Sequence, residues 1–243
     1  MMRYKLVIFD FDGTLADSLS WFLRVIDEVA DKYRFPRIKS PELSTLRNLD
    51  AKGMIAHVGI PTWKVPLVQH HLRTLMTRDL DQINLFPGID GLLRELRSQG
   101  VSLAIVTSNL SINVRGILGK ENASLIQHYA CGAPLLGKRV KLRRVLHRCG
   151  ISPSEAIYIG DEIRDLQAAH GVGIAFGAVT WGVNSADAFA SQFPEEMFSS
   201  IDEVVNRVAH RPRLVSKSGP ATTLAHRRLR RKELFDMSAQ LSN

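Results

Sequence analysis

The sequence predicts an α/β fold: a parallel sheet flanked by helices, with an all-helical block inserted after the first strand. From residue 86 onward, short apolar runs of strand length alternate with stretches of helical period. Residues 16–85, by contrast, carry helical periodicity and no strong strand pattern. Polar residues also cluster just after the apolar runs, and the C-terminal ends of parallel strands are where ligands collect.

The first strand is the apolar run Leu6-Val7-Ile8-Phe9, and Asp10-Phe11-Asp12-Gly13-Thr14 follows it directly. Gly13 lets the chain turn sharply there. Trp21, Phe22, Val25, Ile26, Val29, Ala30 and Tyr33 then recur at helical spacing, in a helix that Pro36 is expected to end. Residues 40–59 read as one or two helices, opened by Ser40-Pro41-Glu42 with proline at a first helical position. Pro61 and Pro66 flank a break around Trp63-Lys64, and residues 67–82 resume a helix with Leu67, Leu72, Leu75 and Met76 on one side.

The alternation of strand and helix begins after the turn Phe86-Pro87-Gly88. Ile89, Leu92, Leu93 and Leu96 form a helix closed by Gly100, and residues 101–106 form a second strand. A helix over 112–118 and a short strand over 129–131 follow. Leu142, Val145, Leu146 and Cys149 make a helix closed by Gly150, and 156–159 is a fourth strand. Residues 166–169 read as a short helix and 172–176 as a fifth strand. Helices between successive strands imply parallel pairing with right-handed crossovers. There is no internal repeat.

A chain of 243 residues with 45% apolar content suits one sizeable domain or one domain with an insertion. No apolar run approaches the roughly 20 residues that span a bilayer. The N-terminus runs straight into the first strand, which predicts no signal peptide. Cys131 and Cys149 have no metal-ligand spacing and predict a reducing, cytoplasmic setting without disulfides. The net charge is +8, but eight basic residues against two acidic ones in 210–243 account for most of it, so the folded body is nearly neutral. That tail reads first as a mobile extension. A basic amphipathic helix over 223–235, for a partner or membrane surface, is a second reading. Nucleic-acid binding is not predicted, because the tail lacks interleaved aromatic residues that stack on bases.

Each strand end carries polar residues: Asp10 and Asp12 after the first, Thr107-Ser108-Asn109 after the second, and Gly160-Asp161-Glu162-Ile163-Arg164-Asp165 after the fourth. Lys138 precedes the helix that leads into the fourth strand. A parallel sheet brings these ends to one edge. Carboxylates gathered there repel one another and raise some pKa values, which a divalent cation would relieve. Oxygen-only ligands favour a hard ion, and a few of them completed by water favour Mg²⁺. Such a site accepts a phosphate, with Lys138 and Thr107 supplying further charge and hydrogen bonds.

The order Asp-x-Asp-Gly-Thr, Thr107, Lys138 and Gly-Asp-x-x-x-Asp resembles the four motifs of the haloacid dehalogenase-like superfamily, over about residues 4–208. The subgroup it most resembles is the phosphoglycolate phosphatases with a helical cap after strand one. The third motif departs from the family's Lys-Pro: here it is Gly137-Lys138-Arg139-Val140-Lys141. Lys138 is preferred because it follows Gly137 in a loop, with Lys141 opening the helix as the alternative. The resemblance implies a Rossmann-like core over 1–15 and 86–208, an all-helical cap over 16–85, and a basic tail over 209–243. It implies Asp10 as the nucleophile that becomes an aspartyl-phosphate and Asp12 as general acid and base. Mg²⁺ would be held by Asp10, the Asp12 carbonyl and Asp161, and Asp165 would orient Lys138 or a metal-bound water. Phosphoryl oxygens would be bound by Thr107, Lys138 and Asn109 and by backbone near Phe11, Gly13 and Ser108. Glu162 and Arg164 read as surface residues or a local pair.

The expected activity is therefore a Mg²⁺-dependent phosphatase acting on a small phosphorylated metabolite, as a cytoplasmic monomer or homodimer. A phosphomutase shares the motifs and differs in its product. A non-catalytic binding protein on the same fold is disfavoured by the intact Asp10, Asp12 and Asp161. In the helical block, Trp21, Phe22 and Tyr33 read as core, and Arg47, Lys52 and Lys64 read first as solvated surface. His57, His70 and His71 show no ligand spacing.

Overall fold

The computed structural model describes residues 4–132 and 137–209, which fall within one compact unit spanning Met1–Arg211. The basic tail from residue 210 onward, with the readings given for it, lies outside the described residues.

Six strands form one parallel sheet in the order β3-β2-β1-β4-β5-β6. They are β1 Leu6–Phe9, β2 Ser102–Val106, β3 His128–Ala130, β4 Ala156–Gly160, β5 Ala175–Val179 and β6 Glu196–Phe198. β1 lies between β2 and β4, with Phe9 in register with Ile105 on one side and Ile159 on the other. The connections run outward in opposite directions from β1, which makes this the point where a doubly wound sheet opens a crevice. β1 is buried on both faces. Val7 and Phe9 face a core with Leu103, Ile105, Ile157 and Ile159, whereas Leu6 and Ile8 face Ala104, Val106, Ala156 and Tyr158.

The helices are α1 Leu19–Tyr33, α2 Leu43–Leu46, α3 Ala51–Val58, α4 Val65–Arg78, α5 Ile89–Ser98, α6 Ser111–Leu125, α7 Lys138–Cys149, α8 Ile163–His170, α9 Ala186–Ala190 and α10 Ile201–Val204. Residues of α5, α6 and α10 join the first core; those of α7, α8 and α9 join the second. α1 to α4 form the insertion after β1. Its two connecting strands hold each other: Asp17 N donates to Asn84 O and Phe86 N to Leu15 O, each at 2.9 Å.

Several boundaries differ from the sequence reading. α1 stops at Tyr33 because Arg34 turns left-handed at φ 54°, before Pro36 is reached. Pro66 lies in the first turn of α4 rather than in a break, a position where its missing N–H costs nothing. The buried face of α4 is Val68, Leu75 and Met76, and Leu67 is exposed. α6 extends well past residue 118, although Gly119 interrupts it at φ 71°. β5 starts at Ala175 instead of 172, because Gly173 at φ 77° still belongs to the turn. β6, α9 and α10 carry too few residues for a periodic signal, and the sequence reading did not identify them.

One buried side chain, Asn184, helps to strap the insertion to the core. Asn184 is fully buried and donates from Nδ2 to the carbonyls of Arg47 at 2.9 Å and Leu49 at 2.8 Å. Its Oδ1 accepts from Ile163 N at 2.9 Å, at the start of α8. Asn184→Ala removes three buried hydrogen bonds at about 1 kcal/mol each, so urea denaturation should show a loss of about 2–4 kcal/mol. Hydrogen exchange in residues 47–49 should rise with it. Unchanged stability would show that the strap is not held by this side chain.

Candidate active site

Asp10 directly follows β1 and is nearly fully buried, with its backbone N–H extending the β1–β4 ladder to Ile159 O at 2.8 Å. The next residues wrap a tight loop around one carbonyl: Leu15 N and Ala16 N both donate to Phe11 O at 2.9 Å. Phe11 itself is anchored in the core. Gly13 is required twice over. Its φ is 74°, and a Cβ there would lie 2.2 Å from Asp161 Oδ2.

Lys138 is 2% exposed and lies between two carboxylates, donating to Asp10 Oδ2 and Asp165 Oδ1 at 2.6 Å each. It is the first residue of α7, not a loop residue before it, because the turn of the helix begins directly after Gly137. Lys141 lies one turn further on and donates to Cys131 O, away from Asp10. Burial disfavours the Lys138 ammonium, but Asp10 and Asp165 outweigh it and raise its pKa. One ammonium cannot neutralise two carboxylates. Burial, with Asp10 adding repulsion against the pull of Lys138, accordingly pushes Asp165 up to about 7. Tyr158 completes the floor, donating to Val106 O at 3.0 Å and Asp165 Oδ1 at 3.2 Å.

Asp12 is half-buried, and its Oδ1 accepts from Asn109 Nδ2 at 3.1 Å. Desolvation and then the nearby Asp10 charge push its pKa up to about 7, against the opposing effects of Asn109 and Lys138. Thr107, fully buried at the end of β2, accepts from Asn109 N at 3.1 Å through its hydroxyl oxygen. Ser108 is half-buried and borders the cleft beside Asp12.

Asp161 is fully buried, and its oxygens accept from Thr14 Oγ1 and Val183 N, both at 2.8 Å. Burial, followed by repulsion from Glu162, Asp10 and Asp165, holds its carboxyl well above the usual range. Among the described residues, the carboxylates that bring one oxygen each within 4.8 Å of one another are Asp10, Glu162 and Asp165. Glu162 pairs with Arg164 at 2.5 Å, as a local pair, but this pair is largely buried rather than on the surface. Asp10 Oδ1 and Asp165 Oδ2 are buried with no hydrogen-bond partner among the described residues. Orphaned carboxylate oxygens beside further carboxylates fit a hard divalent cation, and among the described residues no histidine or cysteine belongs to this cluster.

Some structurally important neighbours escaped the sequence reading. Asn113, one turn into α6, donates to Asn109 Oδ1 at 3.0 Å and accepts from Thr77 Oγ1 at 2.7 Å, which ties the Asp12 partner to α4. Gly182 fits under Asp161, where a Cβ would come within 2.3 Å of its Cβ. Nothing in the local pattern marks them; only the loop after β5 and its return to β4 bring 182–184 to the site. Lys52, His57 and His70 are exposed, and Lys64 donates to Tyr33 O at 2.8 Å, all apart from the carboxylates.

A family model described as haloacid dehalogenase-like hydrolase matches residues 7–179. The chain is 30% identical over 203 residues to the phosphoglycolate phosphatase of Synechococcus elongatus, covering 83% of this chain and 96% of that one. It is 22% identical over 213 residues to phosphoglycolate phosphatase 1 of Pseudomonas aeruginosa, covering 83% and 78% of the two. A solved haloacid dehalogenase-like family protein of Streptococcus pneumoniae shares the fold with a TM-score of 0.70 at 22% identity, over 84% of this chain and 98% of that one. Among the described residues no helix is long and apolar enough to cross a membrane.

The raised Asp12 pKa has a stability consequence. In the unfolded chain this carboxyl ionises near 3.8, but in the fold only near 7. The folded form therefore loses stability as pH rises between these values, and the loss is complete above about 7. In metal-free protein, Asp12→Asn should melt closer to the parent at pH 4.5 and gain on it by pH 8. The gain, discounted for partial exposure, is roughly 1–3 kcal/mol. A difference that stays constant from pH 4.5 to 8 would contradict the shift.

Proposed function

Because the chain belongs to the haloacid dehalogenase-like hydrolase family, we propose that it is a Mg²⁺-dependent phosphatase. It hydrolyses a small phosphomonoester through an aspartyl-phosphate on Asp10. The observation that carries this reading is the buried Lys138 held 2.6 Å from both Asp10 and Asp165 at the end of the central strand, with Asp12 across the same edge. An isolated buried ammonium pair of this kind adds little to stability, so its placement is better explained by chemistry at Asp10.

Asp10 attacks phosphorus as the ester P–O bond breaks, and Asp12 delivers its proton to the departing alkoxide oxygen. Asp12 then takes a proton from the water that attacks the aspartyl-phosphate, which releases inorganic phosphate and restores Asp10. A carboxyl with a pKa of about 7 suits both directions of transfer near neutral pH. Thr107 keeps its hydroxyl proton for a phosphoryl oxygen, since its oxygen already accepts from Asn109 N. Lys138 offsets phosphoryl charge, Asp165 positions Lys138, and Ser108, Asn109, Gly13 and the Phe11 backbone border the phosphoryl position. Asp10, the Asp12 carbonyl and Asp161 would hold Mg²⁺, with Glu162 beside them. The ion would supply charge stabilisation for the transferring phosphoryl group.

Residues 16–85 act as a cap over this edge. The support for this is that their helices share a cleft with Asp12 and are tied to the core through Asn184. The relatives named phosphoglycolate phosphatase make 2-phosphoglycolate the first ester to assay.

Asp10→Asn should lower phosphate release by about a thousandfold or more with an unchanged circular dichroism spectrum. Chelation should silence the parent enzyme, and added Mg²⁺ should restore it. Turnover of Asp10→Asn within tenfold of the parent would remove Asp10 from the nucleophile role.

A further inference from the structure

The cleft at Asp12 and its continuation into the helical insertion together form a cavity of about 470 Å³. From it we infer that the preferred substrate is a phosphomonoester of an apolar alcohol, an alkyl or aryl group larger than two carbons, seated between α1, α2, α3 and α4. This rests on the phosphatase reading and narrows its substrate class.

Protein interiors leave few voids larger than a water molecule. A space of this size is instead in the range of ligand pockets, roughly 300–1,000 Å³. Its walls within the insertion are mostly apolar, among them Phe35, Leu46, Met54, Val58, Val68 and Leu72. The polar lining is concentrated on the side of the sheet. Asp12, Ser108, Asn109 and Glu162 follow strand ends, and Arg164 lies in the first turn of α8. Arg47 donates to Gly182 O at 3.1 Å, and Arg73 lies close enough to Asp12 and Arg164 to feel both charges. Gln69 is the polar residue that α4 adds beyond Arg73.

All three cleft arginines, Arg47, Arg73 and Arg164, thus remain near the phosphoryl end. A second anionic group carried deep into the insertion would lose its hydration and meet no cation there. An apolar group in the same place removes hydrocarbon from water on both sides of the contact. A two-carbon hydroxy acid would leave most of the cavity unfilled. The insertion therefore selects by hydrophobic burial of the alcohol, while the phosphoryl group binds at the sheet edge.

The test compares straight-chain monoalkyl phosphates from ethyl to octyl with 2-phosphoglycolate, using the full chain with Mg²⁺ and, in parallel, calorimetric binding of the same esters to Asp10→Asn. Both kcat/KM and affinity should rise about two- to fourfold per methylene up to at least hexyl. Hexyl phosphate should then exceed 2-phosphoglycolate by tenfold or more. Val68→Trp, which fills the cavity, should lower the octyl-to-ethyl ratio of kcat/KM at least tenfold. Affinities independent of chain length, or a tenfold preference for 2-phosphoglycolate, would overturn the inference and leave the phosphatase reading standing. Chain-length-dependent binding without release of phosphate from any ester would support the cavity assignment and overturn the phosphatase reading instead.

Discussion

A single ammonium buried among carboxylates sets the terms for the rest of the site. Lys138 bonds Asp10 and Asp165 at 2.6 Å with almost no exposure to solvent, so its charge is compensated by these neighbours rather than by water. Three elements are drawn together by this contact, because Asp10 directly follows β1, Asp165 lies on α8 and Lys138 opens α7. One positive charge against two carboxylates, with Asp12, Asp161 and Glu162 close by, leaves the cluster short of positive charge. Burial, and after it the repulsion from Asp10, raises the pKa values of Asp12 and Asp165 to about 7. A divalent ion and a group that develops charge in the reaction are the physical complements of this cluster.

The close packing around Asp161 depends on the absence of side chains. Gly13, Gly160 and Gly182 occupy positions where a Cβ would meet Asp161 or Asp165 at 2.2 to 2.8 Å. The loop over 181–185 links this packing to the insertion. Trp181 Nε1 donates to Thr14 O at 3.2 Å, Val183 N to Asp161, and Asn184 to the carbonyls of Arg47 and Leu49. A second chain of bonds runs from Asp12 through Asn109 and Asn113 to Thr77 on α4. The insertion therefore touches the acidic cluster from two sides, and a shift of α2 or α4 would be felt at Asp161 and Asp12 respectively. This coupling gives the apolar cavity a physical route to Asp12 and Asp161: what fills the insertion also bears on the acidic cluster.

Local pattern alone determined much of this protein. Leu6–Phe9 was legible as a strand because four consecutive apolar residues followed by two aspartates and a glycine have few other uses. The helices of strong period, α1, α5 and α7, were legible for the same reason, as was the order of strand ends that collects Asp10, Thr107 and Asp161 on one edge. Short elements without a period, such as α9, β6 and α10, were not, because three to five residues carry too little pattern. Tertiary structure decided the rest. Lys138 rather than Lys141 reaches Asp10 because α7 begins at Lys138 and turns Lys141 toward Cys131. Glu162 and Arg164 are drawn into the site as a largely buried pair. Asn113, Gly182 and Asn184 have roles that depend on residues from about 20 to more than 130 positions away in the chain. Such contacts, like the cavity inside the insertion, exist only once helices and sheet have packed, since they depend on distances in space that residue spacing does not encode.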